Sequence, residues 1–261
     1  MLMDLRTVLY DKYNNTGFIT LNRPECLNAL NLEMLSELSL VIEDISGDNR
    51  IRAVIITGSG KMFAGGWDTA YLADADVLKA ERFIESARIL LDRIDNLDRP
   101  VIAALNGPSL CWGTELALAC DIRIASDTAY IAEPEINLGI IPGAGGTQRL
   151  IRITGAAWAK HLIMTGSPVD AYTALSIGLV TSVVPEERLM CEAEKIAKTI
   201  ALRSAISMKA AKRSLNYGMN VNLPAGLAYE SNTWASLFST DDQKEGMKAF
   251  LERRKPVFRN R

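Results

Sequence analysis

Three glutamates interrupt segments that are otherwise apolar. Glu115 stands before Leu116, Ala117, Leu118, Ala119 and Cys120, and Glu133 and Glu135 bracket Pro134 after Tyr130, Ile131 and Ala132. A carboxylate buried in such a place without a partner is expensive. Two carboxyls held in one dry cleft have their pKa values pushed apart, which supplies an acid and a base at one pH. The bland alternative is a helix N-terminal glutamate favoured by the macrodipole and a strand-end glutamate facing solvent. Two loops weigh against it. MFAGGWD (62–68) and SLCWGTE (109–115) each follow an apolar strand pattern, and their glycines let backbone approach a ligand closely. One backbone N–H from each would form an oxyanion hole, the device that stabilises charge developing on a carbonyl oxygen.

Other chemistry is less well supported by the residues. TGSGKM (57–62) fails as a phosphate loop, because Ile55 stands where the first glycine is needed and Met62 follows the lysine. PGAGGTQRL (142–150) lacks dinucleotide spacing and reads as a tight turn into a helix, with an anion site at that helix start as the rival. His161 has no nucleophile near it in sequence and is expected to be structural. Cys111 lacks a basic neighbour to stabilise a thiolate. The cysteines Cys26, Cys111, Cys120 and Cys191 are scattered with no CxxC, so no metal site is expected and the thiols suit a reducing compartment.

The elements that must carry these residues follow from periodicity. VLYDKY and FITLN, separated by Asn14, Asn15, Thr16 and Gly17, predict a hairpin. Asn31 caps a helix whose apolar face is Leu32, Leu35, Leu38, Ile42 and Ile45, ending near Gly47. A strand at 53–58, a helix from about 77 to 97 and a strand at 101–106 make the next cycle. A third cycle has a helix from near Gly113 and strands IRIAS and AYIAEP. Alternating strands and helices imply the α/β class. From about Val184 the pattern is helical, and Thr240 with Gln243 has capping-box spacing.

The 261 residues, 48% hydrophobic and 23% charged, suit one sizeable globular core. A formal charge of −2 supplies no field for nucleic acid or an anionic membrane. Asp4 and Arg6 interrupt any secretory leader, and no apolar stretch approaches a membrane span of about 18 residues, so a cytoplasmic protein is expected.

Taken in order, NRPECLNALN (22–31), FAGGWD (63–68), NGPSLCWGTELALACDIRIAS (106–126), AEPEINLGIIPGAGGTQRL (132–150) and GMKAFLERRKPVF (246–258) resemble the crotonase superfamily of enoyl-CoA hydratases and isomerases over nearly the whole chain. The resemblance implies a spiral of repeated ββα turns over 1–190 and a helical trimerisation and CoA-contacting region over 191–261, assembled as trimers or dimers of trimers. It implies an acyl-CoA thioester substrate and no separate cofactor. Glu115 and Glu135 match the two catalytic glutamates, here assigned to the water and to C2 respectively. The backbone N–H groups of Trp67 and Trp112 match the oxyanion hole, and that of Gly143 matches a water-positioning donor. Cys26, Ala29, Gly65, Gly66 and Asp68 fall in the substrate and CoA segments, with Phe250 and Arg253 reaching a neighbouring subunit's ligand.

Three departures are visible. Trp112 replaces a customary glycine, so the loop is either rearranged or two indoles border the acyl pocket; Thr69 and Ala70 stand where a lysine is usual, and Arg253 replaces another lysine. Hydration is the leading activity. Isomerisation, carbon–carbon hydrolysis or cleavage of a β-dicarbonyl substrate, and a noncatalytic acyl-CoA- or RNA-binding role are the alternatives.

Overall fold

The hairpin turn is tighter than the sequence suggests. β1 (Val8–Tyr13) pairs with β2 (Thr16–Leu21) through Asn14 and Asn15 alone, both at positive φ (48° and 63°). A two-residue turn of type I′ needs left-handed backbone at both positions, which asparagine tolerates. The computed structural model describes residues 4–261. Residues 1–3, which begin the expected 1–190 core and the stretch read for a leader, lie outside the described residues.

Asn31 caps α1 (Leu32–Gly47) by accepting from Met34 N at 2.8 Å. This helix returns the chain so that β3 (Ala53–Gly58) lies parallel to β2. The short α2 (Thr69–Leu72) and the long α3 (Val77–Asp95) then lead to β4 (Val101–Leu105), again parallel. The next turn comprises β5 (Ser109–Leu110), α4 (Trp112–Ala119) and β6 (Ile122–Ser126). β7 (Tyr130–Ala132), a 3-10 turn at Pro134–Leu138, α5 (Gly146–Thr165), β8 (Val169–Asp170), α6 (Ala171–Ser176) and β9 (Ser182–Val184) follow. The strands form a six-stranded sheet, β1-β2-β3-β4-β6-β9, and a three-stranded one, β5-β7-β8. Successive turns of chain thus wind as a spiral, each adding one strand to the large sheet.

Both faces of the large sheet are covered, and alternate residues show it. Val54 and Ile56 of β3 enter the main core with α1, α3 and α4, whereas Ala53 and Ile55 pack on the opposite face against Leu189, Ala193 and Ala197 of α7 (Leu189–Ala201). A boundary at 190/191 therefore falls inside α7, which lies on the sheet. Beyond it come α8 (Ala205–Gly218), α9 (Leu223–Leu237) and α10 (Asp241–Leu251). α8 is tied to the core by Lys212, whose buried Nζ lies 2.7 Å from Asp121 Oδ2. At α10 only half of the expected capping box forms: Thr240 Oγ1 accepts from Gln243 N at 3.1 Å, but Gln243 Oε1 has no partner among the described residues. Among the described residues no helix is long and apolar enough to cross a membrane.

Candidate active site

Segments 62–68 and 108–113 are pressed together because Gly66 and Gly113 leave no side chain between them. Leu110 N donates to Ala64 O at 2.9 Å. A Cβ on Gly113 would sit 2.6 Å from Ala64 O, and one on Gly66 would sit 2.7 Å from Cys111 Cβ. Only glycine fits such contacts. Trp67 forms a parallel bridge with Leu30: Leu30 N donates to Gly66 O at 2.8 Å and Asp68 N to Leu30 O at 2.9 Å. In that pattern Trp67 turns its own N–H away from Leu30. Trp112 is the first residue of α4, so its N–H has no partner within the helix.

The tryptophan does not carry the backbone strain expected of a residue in a glycine's place. Trp112 joins the helix, and the positive φ (51°, with ψ −123°) falls on Cys111. Trp112 is completely buried within the main core, and its indole Nε1 has no hydrogen-bond partner among the described residues. Trp67 packs edge-on against Phe83 with ring centroids 5.7 Å apart.

Glu115 lies one turn into α4, fully enclosed. Its Oε1 accepts from Ala144 N at 2.7 Å and Gly146 N at 2.8 Å, whereas Oε2 has no partner among the described residues. The glycine-rich stretch does build an anion site at a helix start, but the anion it holds is the protein's own Glu115. Gly143, immediately before these donors, is exposed in the same loop. Arg149 braces the loop from α5, donating to Ala144 O at 3.0 Å and pairing with Asp92 at 2.9 Å. Burial pushes the Glu115 carboxyl up to about 7; the two N–H bonds and Arg149 oppose the rise, and the nearby Glu135 adds to it.

Glu133 and Glu135 are also buried, which rules out the solvent-facing reading of the strand end. β7 stops at Ala132, and both glutamates belong to the 3-10 turn and its cap. Ala132 O accepts from Cys111 N at 3.1 Å and from Thr114 Oγ1 at 2.9 Å, which pins the end of β7 to the start of α4. None of the four carboxyl oxygens has a hydrogen-bond partner of normal geometry among the described residues. Burial raises both carboxyls, Glu133 well above the ordinary range; the Trp67 indole and the Cys111 thiol offset part of the rise at Glu135. Burial and the three surrounding carboxyls push the Cys111 thiol up as well, which suits an inert thiol and not a nucleophile. Sequence reasoning singled out Glu133 without giving it a place in the site, and it missed Thr114, Arg149 and the N–H groups of Ala144 and Gly146.

The early segment lies against the first loop. Gly65 N donates to Leu27 O at 2.7 Å, and Arg23 bridges the two by donating to Ala29 O at 2.6 Å and Asp68 Oδ2 at 3.2 Å. Cys26, Ala29, Gly65, Gly66 and Asp68 are thus neighbours. Phe250 and Arg253 are exposed at the end of α10. His161 is exposed on α5 with its ring edge-on to Trp158.

The model of one family, described as enoyl-CoA hydratase/isomerase, matches residues 11–261. The chain belongs to the enoyl-CoA hydratase/isomerase family. It is 42% identical over 261 residues to the short-chain-enoyl-CoA hydratase of Clostridium acetobutylicum, covering 99% of this chain and 100% of that one. It is 38% identical to the crotonyl-CoA hydratase of Syntrophomonas wolfei, covering 98% of this chain and 99% of the relative. The crystal structure of an enoyl-CoA hydratase from Bacillus anthracis superposes with a TM-score of 0.95 at 38% identity, over 98% of this chain and 100% of that one. The spiral of this enoyl-CoA hydratase/isomerase family member is therefore the crotonase fold, as the motifs implied.

Proposed function

We infer that the protein adds water across the 2,3 double bond of a short-chain 2-enoyl-CoA. The observation that carries this reading is the asymmetric Glu115 carboxylate: one oxygen is held by two peptide N–H groups, and the other, buried with Glu135 nearby, has no partner among the described residues. A base needs that arrangement, fixed in direction yet with a free lone pair. The thioester carbonyl sits between the N–H groups of Trp67 and Trp112, and the dipole of α4 adds to the second donor. Polarisation makes C3 electrophilic. Water, positioned by the Gly143 N–H and Glu115 Oε2, attacks C3 while Glu115 takes its proton. Glu135 delivers a proton to C2, where enolate charge would otherwise accumulate. The names of the relatives support a short acyl chain.

The segment spanning Cys26, Ala29 and Gly65 to Asp68 is assigned to the CoA moiety. The last helices complete the site from a neighbouring copy. α9 has no buried residue although it carries Leu223, Leu227 and Trp234, and Phe250 and Leu251 at the end of α10 are each 81% exposed. An apolar helix left bare in one chain is covered when copies assemble, here as a trimer or a dimer of trimers. Phe250 and Arg253 then contact a neighbour's CoA.

Purified protein given crotonyl-CoA and longer 2-enoyl-CoAs should yield products heavier by one water with the thioester intact. A product of unchanged mass would replace hydration by isomerisation. Cleavage of a carbon–carbon bond, or no turnover of any enoyl-CoA, would overturn the reading.

A further inference from the structure

The grip on Glu115 Oε1 is itself held by a residue that hydration as derived above leaves without a task. The Ala144 carbonyl belongs to the planar peptide lying between the two donors, Ala144 N and Gly146 N, so its direction constrains theirs. Arg149 Nη1 donates to that carbonyl at 3.0 Å. The other arm of the same guanidinium, Nη2, lies 2.9 Å from Asp92 Oδ1 and 3.6 Å from Asp95 Oδ2, both on α3. The rigid fork thus ties the cradle of Glu115 to a 19-residue helix. Gly145 makes room for it: φ is 124° there, and a Cβ would fall on Arg149 Nη1. The loop has a second, apolar hold on α3, because a Cβ on Gly143 would lie 2.7 Å from Ile84 Cδ1. Glu115 faces Glu133 and Glu135 from the 3-10 turn, the Cys111 thiol at the start of α4, and the Arg149 cation from α5. Arg149 in turn faces Asp92 and Asp95, and Arg88 takes the second oxygen of Asp92.

We propose that Arg149 is a positioning residue for hydration, which aims the free oxygen of Glu115 by clamping the peptide between the two donors that hold the other oxygen. The inference rests on the hydratase reading, in which Glu115 takes a proton from the attacking water. A misplacement of about 1 Å in such a group can cost about 100-fold in rate. The Arg149 charge acts in the same sense, since a nearby cation favours the ionised carboxylate that a base must be. With the clamp gone, Ile84 still packs on Gly143 and Leu150 stays buried, so the loop keeps its place while the Ala144 carbonyl is free to turn.

The test compares Arg149→Met and Arg149→Lys with wild type in crotonyl-CoA hydration across pH. Methionine removes both the fork and the charge. In that variant kcat should fall about tenfold or more while binding of a saturated acyl-CoA is retained. The acid limb of kcat/KM, where Glu115 must lose its proton, should move up by about half a pH unit or more. Lysine keeps the charge but has a single point head that cannot hold Ala144 O and Asp92 together, so the limb should return toward wild type while kcat stays low. A brace that only stabilised the fold would lower the folded fraction and leave both the limb and the kcat of folded enzyme unchanged; that result would overturn the proposal. If Arg149→Met does not fold, Arg149→Lys decides, a wild-type kcat overturning the clamp and a reduced one supporting it. Infrared titration keeps the two readings apart. The carboxylic-acid C=O band that Glu115→Gln removes should persist to higher pH in Arg149→Met than in wild type, and an unmoved band would count against Arg149 whatever the turnover. Wild type that hydrates no enoyl-CoA, with the band moved as expected, would sink the hydratase reading alone.

Discussion

Replacing Glu115 by glutamine should change how stability depends on pH, as well as abolish most activity. In the folded protein the carboxyl is pushed up to about 7 by burial, against an ordinary value of 4.5. Between those limits the unfolded chain is ionised while the folded chain keeps its proton, so the folded state binds more protons and stability falls as pH rises. The contribution is whole below about pH 4.5 and gone above about pH 7. A separation of about 2.5 pH units corresponds to about 3 kcal/mol. Glutamine can still accept from Ala144 N and Gly146 N, and it never ionises. The variant should therefore gain about 3 kcal/mol relative to wild type on going from pH about 4 to about 8. Relief of Glu133 and Glu135 from a neighbouring charge acts in the same direction. Urea unfolding of both proteins across that range, at one protein concentration, measures the difference. Parallel stability curves would refute the argument, since they would mean that Glu115 titrates alike in the folded and unfolded chains.

Glu135→Gln should retain binding of a saturated acyl-CoA while hydration falls by at least about 100-fold; near-normal turnover would remove Glu135 from the mechanism. Gly146→Ala places a methyl 2.6 Å from Glu133 Oε1 and 2.7 Å from Pro142 Cβ, so it should cost about 1–3 kcal/mol in thermal or urea unfolding and displace the Glu115 anchor. Trp112→Gly removes a fully buried indole and should destabilise by about 3–5 kcal/mol, with hydration retained through the backbone donor and acyl preference moved toward bulkier groups; an unchanged kcat/KM ratio between short and long substrates in the folded variant would show that the indole does not set specificity. Sedimentation equilibrium should give a trimer or a multiple of it, and a stable monomer would count against any contribution of Phe250 and Arg253 to a neighbour's site.

The primary sequence by itself settled what local chemistry can settle. Asn31 before an apolar face at 3-and-4 spacing specifies where α1 begins, and the β-branched run at Ala53–Gly58 specifies a buried strand, because capping and periodicity act within a few residues. The ordered motifs around Glu115, Glu135 and the two tryptophan-bearing loops pointed to the family and its chemistry for the same reason. What those residues meet was decided only by the tertiary structure. Whether Glu133 faced solvent or the cleft depended on Thr114 and Cys111, about twenty positions away, seizing the carbonyl of Ala132. Which anion the glycine-rich turn would hold depended on α4 presenting Glu115 to it across 29 residues of chain. Where the backbone would strain beside Trp112 depended on the packing of Ala64 and Gly66 against Cys111 and Gly113, which moved the positive φ to Cys111. Burial, pKa and donor geometry are properties of groups brought together from separate turns of the spiral, and no stretch of sequence contains them.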